Sequence, residues 1–177
     1  MRTEFDVVVE VDASVRNGNP GTGAYGFVAL SEVGVIYEDA GMIPLHPIDS
    51  NSAEYYAMLK ALQFCRDLGY VRNLELRSDS KSCIEHLRHN YLFNSADLNR
   101  HAADVAELVD RFEFVSLAWI PRKFNGHADK LSRVPFHNNR NRAMRQIDRN
   151  QIDTIPFSYD YAQDLLSVDE TWEENYE

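Results

Sequence analysis

Four acids in this sequence stand where a carboxylate can do chemistry: Asp12, Glu54, Asp79 and Asp129. Each falls where one element is expected to give way to another. Asp12 closes a β-branched run, Glu54 falls in the first turn of a helical pattern, Asp79 lies at the end of a short strand, and Asp129 lies inside a last helix. Crevices open at the ends of parallel strands in mixed sheets. Carboxylates gathered in such a crevice repel one another unless cations neutralise them. Hard oxygen ligands of this kind suit Mg²⁺ or Mn²⁺. Two such ions about 4 Å apart stabilise the attacking and the leaving oxygen of an in-line phosphoryl displacement.

Taken singly, each acid has an ordinary structural reading. Glu54 stands three residues after Asn51, the spacing of a capping box. Asp129 suits the positive end of a helix dipole. Asp79-Ser80 suits a strand-to-helix turn. The set of four, each at an element boundary, favours the metal reading.

The elements that must position these acids follow from local pattern. Phe5–Asp12 is β-branched and bounded by turn residues, so it is expected to be a strand ending at Asp12. Asn17-Gly-Asn-Pro-Gly-Thr-Gly23 is a loop. Tyr25–Leu30 and Val35–Ile43 complete an antiparallel meander. Over Asn51–Leu68 the period changes: Met58, Ala61, Leu62, Cys65 and Leu68 recur at helical spacing, with Gly69 just past the end. Leu74–Ser78 is a fourth strand. Ser80–His89 and Asp97–Phe112 are two further helices, and Phe114–Ile120 is a fifth strand closed by Pro121. Asn125 is expected to be the N-cap of the last helix. The order predicts an α/β fold with a five-stranded mixed sheet, three antiparallel strands and then parallel ones, flanked by helices. Trp119, Tyr25 and Phe27 are expected in the core, and Phe124 either near the site or packed.

The segments VDASVRNGNPGTGAYGFVAL, NSAEYYAMLKAL, LRSDSKSCIEHL and WIPRKFNGHADKLSR resemble, in order and spacing, the successive motifs of type 1 ribonuclease H. The resemblance covers roughly residues 5–133. It implies the ribonuclease H-like fold and hydrolysis of the RNA strand of RNA–DNA hybrids, with two Mg²⁺ (or Mn²⁺) ions per site. By that resemblance Asp12 bridges both ions, Glu54 and Asp79 complete one site, and Asp129 completes the other. Water attacks a phosphorus of the RNA strand, leaving a 5′-phosphate and a 3′-hydroxyl. The loop of Asn17, Gly18, Asn19 and Gly21, with Asn51 and Ser80, resembles the contacts to 2′-hydroxyls and the hybrid's minor groove. The 2′-hydroxyl is what lets such a site tell RNA from DNA.

The chain departs from the family pattern in three places. Ala13 follows Asp12 where Gly is usual. Only residues 120–128 separate Trp119 from Asp129, with no Gly-rich loop carrying a histidine; this short form is similar to the archaeal and plant-like branch. Arg122 or Lys123 is expected to take over phosphate attraction or product release. His127 lies two residues before Asp129, about 200° round a helix, and is expected to point away from the metals. Asn90–Ala96 carries no Lys or Arg, so there is no basic protrusion, and hybrid affinity should be lower and salt-sensitive. The arginines at 140–149 are candidate substitutes.

Strand alternation adds one inference. Glu10 shares a face with Asp12, and Arg77 with Asp79. Glu10 and Arg77 are expected to pair beneath the carboxylates, so that Glu10→Ala would leave an unpaired cation.

Among 177 residues, 28 acids oppose 18 bases, a formal net charge of -10. Taken whole, that balance opposes a nucleic-acid partner, but it is uneven. Residues 150–177 carry eight acids and no Lys or Arg, and the rest of the chain is at -2. Two divalent ions would make that body net positive. The expected organisation is a catalytic domain over 1–133 and an extension over 134–177, basic at 137–149 and acidic at 150–177. The extension is read as a solubilising, partly disordered terminus, or as a segment that contacts the catalytic domain or a protein partner. A tail lying over the metal site as a nucleic-acid mimic is a further reading. Hydrophobic residues at 44% exclude wholesale disorder. No apolar run reaches the roughly 20 residues that span a bilayer. The N-terminus meets acids at once, unlike a signal peptide. Cys65 and Cys83 make neither a disulfide scaffold nor a zinc site. A cytoplasmic monomer acting on RNA–DNA hybrids is expected. The rivals are a binding or scaffold module that keeps the fold without activity, and a metal nuclease or exonuclease on DNA or structured RNA.

Overall fold

The computed structural model describes residues 5–89 and 92–145, with side chains as far as His137. In chain order the elements are β1 (Val7–Arg16), β2 (Thr22–Ser31), β3 (Gly34–Met42), α1 (Ser50–Asp67) and β4 (Asn73–Ser78). Then come α2 (Lys81–His89), α3 (Ala96–Val109), β5 (Phe114–Trp119), a 3₁₀ turn (Arg122–Phe124) and α4 (Gly126–Arg145). The sheet order is β3-β2-β1-β4-β5. β1–β2 and β2–β3 are antiparallel, and β1–β4 and β4–β5 are parallel. This is the mixed α/β architecture that the sequence pattern predicts.

Period-2 alternation sorts the sheet into two faces. Val7, Val9 and Val11 of β1 join Phe27 and Ala29 of β2, Tyr55, Met58 and Leu62 of α1, and Val105 of α3 in one buried cluster. Fully burying side chains of this size contributes about 1.5–3 kcal/mol each. Val8 and Val28 are also buried but point the other way. On that second face lies α4, whose Ala128, Leu131 and Phe136 are buried. Gly26 of β2 makes the approach possible: a Cβ there would fall 2.4 Å from the backbone nitrogen of Ser132.

β1 does not end at Asp12. Its parallel pairing with β4 stops at Val11↔Ser78, while its antiparallel pairing with β2 runs on to Arg16↔Thr22. Asp12 is therefore the first β1 residue beyond the β4 ladder, and the crevice opens on that side. The expected boundary at 133–134 falls inside α4, which continues past Pro135 to Arg145. Phe136 anchors this stretch, with the Arg16 guanidinium 4.6 Å above its ring. The first of two compact units runs to Ala143. The readings placed on the arginine side chains of 140–149 and on the acidic segment 150–177 lie outside the described residues. Among the described residues no helix is long and apolar enough to cross a membrane.

Two helix starts differ from expectation. α1 is capped by Asp49, whose carboxylate accepts the Ser52 N–H at 3.0 Å and the Ser52 hydroxyl at 2.6 Å. Asn51 already lies inside the helix, so no capping box occupies Glu54. Asn125 precedes α4 but makes no cap bond. Its amide reaches back to β1 and donates to the Val11 carbonyl at 2.8 Å, leaving its own buried oxygen without a partner.

Candidate active site

Asp12, Glu54 and Asp79 converge at the opening between β1 and β4. One carboxylate oxygen from each lies within 4.8 Å of the others, a grouping that could hold a metal ion. Among the described residues no Lys, Arg or His forms an ion pair with any of the three. Glu54 is buried; it accepts the Ser78 hydroxyl at 3.4 Å and a backbone bond from Ala13. Burial pushes its carboxyl well above the usual range, and Asp12 and Asp79 push it further. Asp12 is 2% exposed. Burial, opposed by the Ser132 hydroxyl and reinforced by Asp79 and Asp129, pushes its carboxyl up to about 7. Two buried acids that resist ionisation, Asp12 and Glu54, with the Asp79 carboxylate beside them and no Lys, Arg or His ion-paired to any of the three, are a donor set that fits a hard divalent ion.

Asp129 stands outside this tight group. It comes from the first turn of α4, close enough to raise Asp12, but Arg122 and Arg133 hold its carboxylate, the latter at 2.7 Å. Burial alone would lower the Arg122 guanidinium, yet Asp129, Asp12 and Asp79 raise it above its ordinary value. Arg122 thus faces the acids. The Lys123 ammonium instead lies 4.8 Å over the Phe124 ring. His127 turns away and pairs with Glu38 of β3 at 2.5 Å.

The remaining residues expected to contact substrate lie in the 17–21 loop and at the starts of α1 and α2. Asn17, Gly18 and Asn19 are exposed, with Asn17 and Gly18 at positive φ. Gly21 is buried, and a Cβ there would meet the Arg16 carbonyl at 2.3 Å, so the turn needs glycine. The Asn19 side-chain oxygen accepts the Ser50 N–H at 3.0 Å, tying the loop to the start of α1. Asn51 and Ser80 meet through Ser82: its hydroxyl donates to the Asn51 oxygen at 3.3 Å and lies 3.5 Å from the Ser80 hydroxyl.

Trp119 corrects the core assignment. Tyr25 and Phe27 are buried, but Trp119 is 41% exposed at the end of β5. Its indole N–H donates to the Asp79 carbonyl at 3.1 Å, and the Lys81 ammonium lies 5.6 Å over its ring. The ring thus braces the turn that carries Asp79.

Glu10 and Arg77 are paired across β1 and β4 at 3.5 Å, as register predicts. The closer partner of Arg77 is Glu75, at 2.5 Å. The expectation that Glu10→Ala leaves an unpaired cation is therefore corrected: Arg77 keeps Glu75.

Sequence reasoning missed Ser132, Ser14 and the Trp119 N–H. Ser132 is three residues beyond Asp129 and so on the same helix face; Ser14 is two beyond Asp12 and so on the same strand face. Those offsets were a readable signal.

A parallel–antiparallel five-stranded sheet, a helix crossing its second face and an acidic crevice at the β1–β4 opening define the ribonuclease H-like class. A family model described as Reverse transcriptase-like matches residues 10–134. Ribonuclease HI of Halobacterium salinarum is 32% identical over 139 residues, spanning 73% of this chain and 69% of the relative. The chain belongs to the ribonuclease HI family. The crystal structure of that halophilic enzyme superposes with a TM-score of 0.69, covering 75% of this chain and 98% of the other. The N-terminal RNase H domain of a Mycobacterium tuberculosis protein, solved as a fusion with maltose-binding protein, is 27% identical, with a TM-score of 0.69. It covers 79% of this chain and 99% of that one. LC11-RNase H1, isolated from compost by a metagenomic approach, shares the fold: 24% identity and a TM-score of 0.68, over 75% of this chain and 98% of that one. It was solved in complex with an RNA/DNA hybrid.

Proposed function

We propose that this ribonuclease H is a metal-dependent endonuclease that hydrolyses the RNA strand of RNA–DNA hybrids, leaving 5′-phosphate and 3′-hydroxyl ends. The observation that carries the reading is the trio Asp12, Glu54 and Asp79, with oxygens within 4.8 Å and no protein cation among them. Asp12, Glu54 and Asp79 would hold a Mg²⁺ or Mn²⁺ ion, and Asp129, with Asp12, would hold a second. Ions bound there supply an activated water at neutral pH and stabilise both oxygens of the in-line displacement.

The chain's own residues do the rest. Arg122 holds Asp129 and lends positive charge at the mouth of the crevice. Trp119 fixes the Asp79 main chain. The exposed loop of Asn17, Gly18 and Asn19, with Asn51 and Ser80, lies against the hybrid's minor groove and reads the 2′-hydroxyls. Lys123 approaches phosphate.

The test is cleavage of labelled RNA–DNA hybrid, duplex DNA and duplex RNA with Mg²⁺ or Mn²⁺, alongside Asp79→Asn. Hybrid cut on its RNA strand alone, and lost in the variant, is the expected result. Cleavage that survives Asp79→Asn, or that prefers duplex DNA, would sink the reading.

A further inference from the structure

Ser132 is a fully buried serine on α4 that the motif reading leaves without a task. Its hydroxyl oxygen lies 2.6 Å from Asp12 Oδ2, across 120 residues of sequence. On its other side, the Ser14 hydroxyl lies 2.8 Å away. We infer that Ser132, backed by Ser14, is a positioning residue that sets the orientation of the Asp12 carboxylate for the divalent ion. The inference rests on the metal reading of the acidic crevice.

The competing explanation is that Ser132 satisfies only its own helix. Its oxygen is 3.0 Å from the Asp129 carbonyl, the usual back-bond of a helical serine. A hydroxyl has one proton to give. The contact to Asp12 is the shorter, within the 2.5–2.7 Å typical of an O–H donor on a carboxylate, about twice the strength of a neutral bond. With that proton committed to Asp12, the Ser132 lone pair can accept the Ser14 proton, and the three groups form a directed chain. Ser14 shares the strand face of Asp12. Ser132 is brought in by the close helix–sheet approach at Gly26, the register partner of Asp12.

Anchoring one carboxylate oxygen fixes the plane of the group. A buried acid that approaches two others needs such an anchor, because repulsion would otherwise turn it away from them. Hydrogen-bond partners behind a metal ligand are commonly worth 10- to 100-fold in metal affinity.

The experiment is calorimetric titration of the full chain with Mn²⁺ alone, for wild type, Ser132→Ala, Ser132→Thr and Ser14→Ala. Hybrid kcat and KM are measured across Mn²⁺ concentrations, and circular dichroism reports folding. Ser132→Ala is expected to weaken Mn²⁺ binding by about tenfold and to leave hybrid KM at saturating Mn²⁺ unchanged. Ser132→Thr, which keeps the hydroxyl, should recover most of the affinity, and Ser14→Ala should show a smaller loss. If Ser132→Ala fails to fold, Ser14→Ala carries the test. Wild-type Mn²⁺ affinity in the folded alanine variants would overturn the inference. A wild-type chain that binds no Mn²⁺ would instead overturn the metal reading beneath it.

Discussion

Gly26 of β2 and Ser132 of α4 touch backbone to backbone: a single methyl on Gly26 would fall 2.4 Å from the Ser132 nitrogen. The obstacle is main chain, so no side-chain rotation relieves it. This contact sets how near α4 comes to the sheet, and through Ser132 and Asp129 it sets where one side of the acidic crevice lies.

Gly26→Ala should therefore push α4 outward. Overpacking of this kind costs about 1–3 kcal/mol. Urea unfolding in EDTA measures the cost without metal; an unchanged midpoint would show that the helix is not held at that distance.

Asp12 predicts a pH-dependent penalty in the metal-free protein. Its carboxyl is raised from 3.8 to about 7, mainly by burial. Between those values the folded state keeps a proton that the unfolded chain has lost, so stability falls as pH rises. Thermal melts in EDTA at about pH 5 and about pH 8 should show the lower melting temperature at the higher pH. Mg²⁺ should remove much of that difference, because binding selects the folded, ionised site. Asp12→Asn should flatten the slope. A metal-free protein that grows more stable over this range would contradict the assignment.

Arg122 pairs with Asp129 from an exposed position, with its side chain 66% accessible. Exposed pairs contribute about 0–1 kcal/mol, so Arg122→Ala should barely move the unfolding midpoint. On the proposed metal role of Asp129, its effect should appear in hybrid cleavage, lowered about tenfold. Arg133 still holds Asp129 in that variant, so Arg122→Ala with Arg133→Ala should be worse than either alone. A large stability loss with intact kinetics would reverse the assigned role.

Glu10→Ala should be mild. Arg77 sits between Glu75 at 2.5 Å and Glu10 at 3.5 Å, and losing Glu10 leaves the shorter pair in place. The expected destabilisation is under about 1 kcal/mol, whereas Glu10→Ala combined with Glu75→Ala should exceed the two single effects added. Additive single effects in a double-mutant cycle would mean that the two acids do not share Arg77.

Local pattern determined the elements because their causes are local. The β-branched alternation of β1, the helical spacing of Met58, Ala61, Leu62 and Cys65, and the turn-forming Asn17–Gly21 all act within a few residues. The order of those elements, with the motif resemblance, led to the acidic set: Asp79 does lie between β4 and α2, whereas Asp12 falls inside β1 and Glu54 in the second turn of α1. Single-residue readings went wrong where a distant partner decided the outcome. Asn125 follows the pattern of a cap, but Val11, 114 residues away, takes its amide. Trp119 is as apolar as a core residue, yet β5 lies at the edge of the sheet and leaves the ring exposed, where its N–H meets Asp79.

What the sequence by itself determined was the fold class, the family resemblance and the acids that meet. Only the tertiary structure decided how they meet: three within 4.8 Å, with Asp129 drawn off by Arg122 and Arg133 and Asp12 held by Ser132. The physical reason is range. Strand and helix periods are written in neighbouring residues, whereas burial, charge pairing and the approach of α4 over Gly26 arise between residues that only folding brings together.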